Sequence, residues 1–79
     1  MIINGARIRK LRKEQDISVD ELAFRIGVSS NVLRQIELGS KTPSAIKLKL
    51  IADYLSVTTD SLYIDLNQDA ETKNSPKGA

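Results

Sequence analysis

The side chains that most often carry out catalysis are missing from this sequence. Its 79 residues include no His and no Cys, which removes the usual general bases, thiol nucleophiles and soft-metal ligands. Neither a disulfide nor a structural zinc can hold the fold, so side-chain packing must do so alone. We therefore expect a binding protein and not an enzyme, with no cofactor, no metal and no evident small-molecule ligand.

The Lys and Arg residues could bind phosphate groups, and they are unevenly distributed. Residues 1–49 carry ten Lys or Arg against five Asp or Glu, whereas residues 50–79 carry two against five. The net charge is therefore +5 in the first segment and −3 in the second. This asymmetry is typical of a polyanion-binding body with a solubilising tail, although many proteins without that function share it.

The segment 18–38 has the spacing of two short helices joined by a turn at Gly27. Ala23 is small at the place where the two helices would cross most closely. These features are the requirements of a DNA-binding helix-turn-helix, whereas the alternative is an ordinary helix pair in a bundle. The apolar residues spaced to pack between the helices are Leu22, Ile26, Val28, Leu33 and Ile36.

Five helix starts are predicted, and the helices that they begin must position this segment. At each start a capping residue lies between an apolar residue before it and a second apolar residue four positions inside the helix. The caps are Asn4, Ser18, Ser29, Ser44 and Thr58. Ser18 also has Glu21 three residues later, which predicts a capping box. The predicted helices are 4–14, 18–26, 29–38, 44–55 and 58–63, and Gly27 and Gly39 end two of them. No stretch alternates long enough to predict a strand, so the expected fold is all-α.

One domain is expected over residues 1–66. Residues 67–79 show no apolar periodicity and are predicted to be a disordered polar tail. Neither a signal peptide nor a run near the ~20 apolar residues of a membrane span is present, so a cytoplasmic protein is expected.

The predicted core consists of Ile8, Leu11, Ile17, Leu22, Ala23, Ile26, Val28, Leu33, Ile36, Leu48, Ile51, Ala52, Leu55, Val57 and Leu62.

The sequence resembles the phage-repressor and Cro-like family, often called Xre-type helix-turn-helix regulators. The resemblance covers residues 4–64 and rests on the segments RIRKLRKEQDIS, SVDELAFRIGVSSNVLRQIELG and KTPSAIKLKLIADYLSVTTDSLY. It implies a five-helix, lambda-repressor-like domain whose second and third helices form the helix-turn-helix. It also implies that helix 29–38 lies in the major groove of a double-stranded DNA operator, which would place the protein with the nucleoid.

By position in this family, the expected base-reading residues are Ser30, Asn31, Arg34 and Gln35. Asn and Gln can bond adenine with two hydrogen bonds, Arg can do so with guanine, and Ser is permissive. Each could instead be a solvated surface residue, and Arg34 could reach a phosphate.

Phosphate contacts are expected at helix starts and in the loop that follows the recognition helix, because free N–H groups and the helix dipole favour anions. The candidates are Ser18, Ser40 and Lys41. Relatives commonly carry Gln at the first position of the second helix, where this chain has Val19, so that side-chain contact is expected to be lost.

Arg12 and Glu37 occupy positions that form an ion pair in similar proteins, and the alternative is two unrelated surface charges.

The fourth predicted helix has two apolar stripes about 150° apart. One faces the core, and the other, Ile46, Leu50 and Tyr54, predicts a homodimer interface together with Tyr63 and Ile64. The alternative is that Tyr63, Ile64 and Leu66 fold back over this second stripe within the same chain.

A transcriptional regulator that occupies an operator, most simply as a repressor, is the leading hypothesis. An autoregulatory controller of a restriction-modification system or an antitoxin would have the same sequence features. A helix-turn-helix used only to bind protein is disfavoured, because the residues expected on the recognition face are neither acidic nor apolar. RNA binding is also disfavoured, because only Phe24, Tyr54 and Tyr63 are aromatic and single-stranded recognition relies on stacking.

Overall fold

The computed structural model describes residues 2–64, in which four α-helices form the body. They are α1 (Gly5–Glu14), α2 (Val19–Ile26), α3 (Ser30–Leu38) and α4 (Ala45–Leu55). Two short strands, β1 (Ile2–Ile3) and β2 (Tyr63–Ile64), and the 3-10 helix Asp60–Leu62 complete the order. Helix α2 packs against α3 and α4, and α1 packs against α3.

Four of the five predicted helix starts are confirmed by side-chain hydrogen bonds. At each of these caps the side-chain oxygen accepts from the backbone N–H three residues later, at 3.0 to 3.2 Å, and the caps are Asn4, Ser18, Ser29 and Ser44. The Thr58 hydroxyl accepts in the same way from the Ser61 N–H at 3.3 Å, but no α-helix follows it. The capping box at Ser18 is only half formed, because the Glu21 carboxylate instead accepts a hydrogen bond from the Tyr54 hydroxyl of α4. The chain around each cap therefore fixes the helix start, whereas a distant residue decides what Glu21 contacts.

Left-handed residues end three of the helices. Gly27 and Gly39 adopt φ values of +80° and +87° after α2 and α3, as predicted. Helix α4 ends at Ser56, whose φ is +63°. A residue with a Cβ has a steric cost in this conformation that glycine avoids. Because serine stands here in place of glycine, the sequence does not mark this end of α4.

The buried core holds the helix-turn-helix against α1 and α4. Its members are Ile8, Leu22, Ala23, Ile26, Leu33, Ile36, Leu48, Ile51, Ala52, Leu55 and Leu62. Leu11, Ile17, Val28 and Val57, which were also predicted as core, are half-buried and pack against it. Full burial of a Leu or Ile side chain contributes roughly 1.5–3 kcal/mol, so these contacts fix the helices relative to one another.

The prediction of a fifth α-helix at 58–63 was wrong for the described residues. Three residues form a 3-10 helix there, and β2 follows it. This strand pairs antiparallel with β1, with Ile2 opposite Ile64 and Ile3 opposite Tyr63. The expectation of no strand was therefore also wrong at these two short segments, because pairing with the start of the chain extends the backbone where a helix would have continued.

Within residues 2–64 no helix is long and apolar enough to cross a membrane. The predicted domain end at residue 66 and the predicted tail at 67–79 lie outside the described residues.

Candidate nucleic-acid interface

Helices α2 and α3 meet through the apolar residues that the spacing predicted. Leu22, Ile26, Leu33 and Ile36 are buried, and Ala23 is only 2% exposed. In the turn, the N–H groups of residues 27 and 28 both donate to the carbonyl of residue 23, at 2.9 and 3.0 Å. Two short helices joined by this tight turn form a helix-turn-helix. Its packing holds α3 against the body with one face outward.

The outward face of α3 carries the residues that were predicted to read bases. Asn31 and Arg34 are exposed, whereas Ser30 and Gln35 are half-buried at the two edges of the face. Leu38 is 79% exposed and lies between them at about 100° per residue. Leu38 was not predicted as a site residue, although its position seven residues after Asn31 could have indicated it. The face is therefore polar along most of its length and ends in an exposed leucine.

The first residue of α3 is tied to α2 by a hydrogen bond. The Ser30 hydroxyl donates to the Asp20 carboxylate. Val19, which stands where the family commonly carries Gln, is half-buried against the core. The side-chain link between the first turns of α2 and α3 therefore comes from Asp20, one position after Val19. Sequence reasoning missed Asp20, because an acidic residue in the first turn of a helix is already explained by the helix dipole.

The residues predicted to bind phosphate lie before and after α3 in the chain. Ser18 is exposed at the start of α2, and Ser40 and Lys41 are exposed in the loop after α3. The backbone N–H groups of Ser40 and Lys41 both donate to the Gln35 carbonyl, at 2.8 and 3.2 Å. These groups are not free, contrary to the reasoning that selected this loop. A phosphate contact there must come from the Ser40 hydroxyl and the Lys41 ammonium group.

A buried ion pair joins α1 to the end of α3. The Arg12 Nε donates to Glu37 Oε2 at 2.8 Å, and its Nη2 donates to Glu37 Oε1 at 3.2 Å. The third guanidinium nitrogen, Nη1, donates to the Ile17 carbonyl at 2.8 Å. The two side chains are only 10% and 4% exposed. The structure thus contains the pair that the resemblance implied, and the pair links α1 to the end of α3.

Gly5 permits the close approach of α1 to the same end of α3. A Cβ at this buried position would overlap the Ile36 carbonyl oxygen and would lie 2.6 Å from that of Glu37. No side chain fits between the two backbones there. Sequence reasoning missed Gly5, because nothing in its neighbourhood marks it as an inter-helix contact.

Two polar side chains of α4 are engaged with α2. The Lys47 Nζ donates to the Ile26 carbonyl at 2.9 Å, which satisfies a carbonyl at the end of α2. Tyr54 donates its hydroxyl proton to Glu21, and the Arg25 guanidinium lies 5.4 Å from the centre of its ring. Tyr54 therefore packs within its own chain, although it was predicted in the dimer interface.

The rest of the predicted dimer interface divides into two parts. Ile46 is 74% exposed and Leu50 is 38% exposed, so the described residues leave Ile46 largely uncovered and Leu50 partly uncovered. Tyr63 and Ile64 lie in β2, which pairs with β1. The alternative in which Tyr63, Ile64 and Leu66 cover this stripe within the same chain stays a prediction, because Leu66 lies outside the described residues.

Comparison with known proteins places this geometry in a family. The helix-turn-helix family model matches residues 8–62. A protein from two strains of Mycobacterium tuberculosis, named as an uncharacterised HTH-type transcriptional regulator, is 42% identical over 60 residues, which are 76% of this chain and 43% of that protein. YazB of Bacillus subtilis, named in the same way, is 36% identical over 58 residues, which are 73% of this chain and 84% of YazB.

A solved structure shares the fold. The crystal structure of SinR, the master regulator for biofilm formation, in complex with DNA has a TM-score of 0.69 and 34% identity, and the match covers 76% of this chain and 97% of that one. The chain spans less than half the length of the mycobacterial relatives. The family match nevertheless covers well over half of the chain, with the two helices and the turn in place. The chain belongs to the helix-turn-helix family of transcriptional regulators, in its phage-repressor and Cro-like branch.

Proposed function

We propose that this protein binds a specific double-stranded DNA operator through α3 and regulates transcription by occupying it, most simply as a repressor. The observation that carries the proposal is the outward face of α3. Amide and guanidinium groups point away from a helix that the core, Gly5 and the Arg12–Glu37 pair hold in place. The complex of SinR with DNA supports it, because SinR has the same fold.

The dimensions of α3 suit the major groove. The groove is about 12 Å wide and admits a helix. Asn31 and Gln35 are four residues apart, so their Cα atoms are separated by roughly 6 Å along the helix axis. With base pairs about 3.4 Å apart, the two amides can reach two base pairs that lie one to two steps apart, where each can bond adenine.

Contacts on the two sides of α3 would set its register on the DNA. Ser18 at the start of α2 can reach the phosphates of one strand, and Ser40 and Lys41 can reach those of the other. Such contacts fix position without carrying sequence information. Binding of this kind involves no catalytic step and no cofactor, and it would place the protein in the cytoplasm with the nucleoid.

We further propose that two copies bind together through Ile46 and Leu50. Ile46 and Leu50 form an exposed apolar pair on α4, and such a pair favours association over exposure to water. Two-fold pairing would set two copies of α3 about one DNA turn apart, roughly 34 Å, and would require inverted half-sites.

Selection of bound duplexes from a random pool tests these proposals. We expect a consensus with inverted symmetry, and an affinity that falls steeply with salt as counterions are released. Weak binding that is indifferent to salt and selects no consensus would refute DNA recognition. A consensus without inverted half-sites would refute the dimer alone.

A further inference from the structure

A cleft of about 790 Å³ opens between α1 and α3 beside the start of α2. Its lining has five cationic and two acidic side chains, which gives a net charge of +3. The Arg12–Glu37 pair is neutral, and the Lys10 ammonium lies 4.0 Å from the Glu14 carboxylate. The remaining cations are Arg9, Lys13 and Arg34, which are exposed and form no ion pair with another residue in the described part of the chain.

We propose that Arg9, Lys13 and Arg34 form a binding site for a backbone phosphate of the operator. The proposal rests on the DNA binding proposed above. Val19 at the start of α2 and Leu38 on the outward face of α3 both line the cleft. If α3 lies in the major groove and the start of α2 lies against the backbone, the strand between them must pass over the mouth of this cleft.

The chemistry of the three side chains suits that strand. A guanidinium group offers paired N–H donors that match phosphate oxygens, and an ammonium group adds a compact charge. The exposed Leu38 at the edge would contact sugar carbons. The site assigns Arg34 to a phosphate, not to a base edge. Arg9 and Lys13 of α1 also supply a phosphate contact that Val19 cannot make, because a valine side chain has no hydrogen-bond donor.

The test uses a double variant in which Arg9→Ala and Lys13→Ala are combined. Its control is the single variant Lys49→Ala, which removes an exposed cation of α4 outside the cleft. The probe is a duplex selected by the wild-type protein, titrated over a range of salt. We expect the slope of log affinity on log salt to fall by about 0.9 for one lost phosphate contact, which is roughly fivefold weaker binding at 0.15 M salt. Base preference should not change, because phosphate contacts carry no sequence information. The melting temperature should not change, because both side chains are exposed.

A double variant that keeps the wild-type salt slope would overturn the phosphate site, and so would one that changes base preference. A wild-type protein that selects no duplex would instead refute the proposed function, and the site with it. Lys49→Ala should keep the wild-type slope, which would show that removing a cation outside the cleft does not lower it.

A different observation concerns the hydroxyl of Ser30, which has a single proton and donates it to Asp20. A serine hydroxyl is one donor and two acceptor lone pairs. Hydrogen bonds to a carboxylate are roughly twice as strong as neutral ones, so a base carbonyl is a poor competitor for this proton. The Ser30 oxygen is therefore left as an acceptor toward the DNA.

We infer that the Asp20–Ser30 pair selects adenine or cytosine at one operator position, given the DNA binding proposed above. In the major groove, adenine and cytosine present amino donors, whereas guanine presents only acceptors, and thymine an acceptor and a methyl group. An acceptor-only oxygen beside a carboxylate can bond the first two bases and repels the oxygens of the others. Serine, which is permissive when free, becomes selective through its partner.

Selection from the random pool with Asp20→Ala, Asp20→Asn and the control Asp53→Ala tests this inference. Asp20→Ala frees the Ser30 proton, so guanine or thymine should become acceptable at one position that is adenine or cytosine in the wild-type consensus, with a shift of about fivefold in their ratio. Asp20→Asn keeps an acceptor oxygen and should retain the wild-type preference, as should Asp53→Ala.

If Asp20→Ala weakens all duplexes alike and leaves the consensus unchanged, the pair only positions α3 and the inference is overturned. The same holds if the only position that responds is guanine or thymine in the wild type. A wild-type protein without any consensus would refute the proposed function as a whole.

Discussion

Removal of Glu37 should destabilise the free protein strongly, before any DNA is present. Its carboxylate accepts two hydrogen bonds from Arg12, and the two side chains are only 4% and 10% exposed. Glu37→Ala leaves the Arg12 guanidinium buried without its counter-charge. The loss is therefore the cost of a stranded charge and not only that of two hydrogen bonds.

The magnitude follows from the burial of the pair. Breaking a buried ion pair by removing one partner costs about 3–5 kcal/mol. Arg12 would keep its bond to the Ile17 carbonyl, so we expect the lower end, about 3 kcal/mol. A loss of 1 kcal/mol lowers the melting temperature of a domain this size by about 4–8 °C. Glu37→Ala should therefore melt roughly 12–24 °C below the wild type.

Thermal unfolding followed by circular dichroism measures this shift. The matched control is Asp53→Ala, which breaks the exposed Lys49–Asp53 pair, 67% and 59% exposed. That pair should contribute only about 0.3–0.5 kcal/mol. Replacing both Arg12 and Glu37 by Met should recover much of the stability, because no buried charge remains. A Glu37→Ala protein that melts within 3 °C of the wild type would refute this reasoning.

Three further predictions concern packing, base reading and assembly. Gly5→Ala should lower the free energy of unfolding by about 1–3 kcal/mol, because the added methyl group overpacks the contact with the α3 backbone; unchanged denaturant midpoints would contradict the close approach. Asn31→Ala and Gln35→Ala should each cost about 1–3 kcal/mol on the selected operator and relax preference at one base position, as measured by competition binding, and full retention of specificity would mean that the recognition face is assigned wrongly. Ile46→Glu with Leu50→Glu should sediment as a monomer where the wild type sediments as a dimer, and a wild type that stays monomeric in solution and on DNA would exclude the interface.

Much of the fold could be predicted because its signals are local. A cap such as Ser29 bonds an N–H three residues away, and Gly27 and Gly39 act on the turns in which they lie. Apolar periodicity likewise identified every buried residue of the core. In a cap or a glycine turn the interacting atoms lie within a few residues of each other, and the apolar spacing of a helix repeats over a similar distance. The sequence therefore contains enough to predict these features.

The tertiary structure decided the details of the interface. Ser30 meets Asp20 ten residues earlier, and Tyr54 meets Glu21 across 33 residues. The pairing of β2 with β1 joins the two ends of the described chain, and it replaced a helix that local spacing favoured.

The sequence by itself determined which residues lie on α3 and that its outer face is polar. Only the folded chain decided that Ser30 contacts Asp20, that the loop N–H groups are engaged and that α1 adds cations beside α3. These outcomes depend on how the helices cross. Crossing angles result from the packing of all the core side chains together, and no spacing along a single segment contains them.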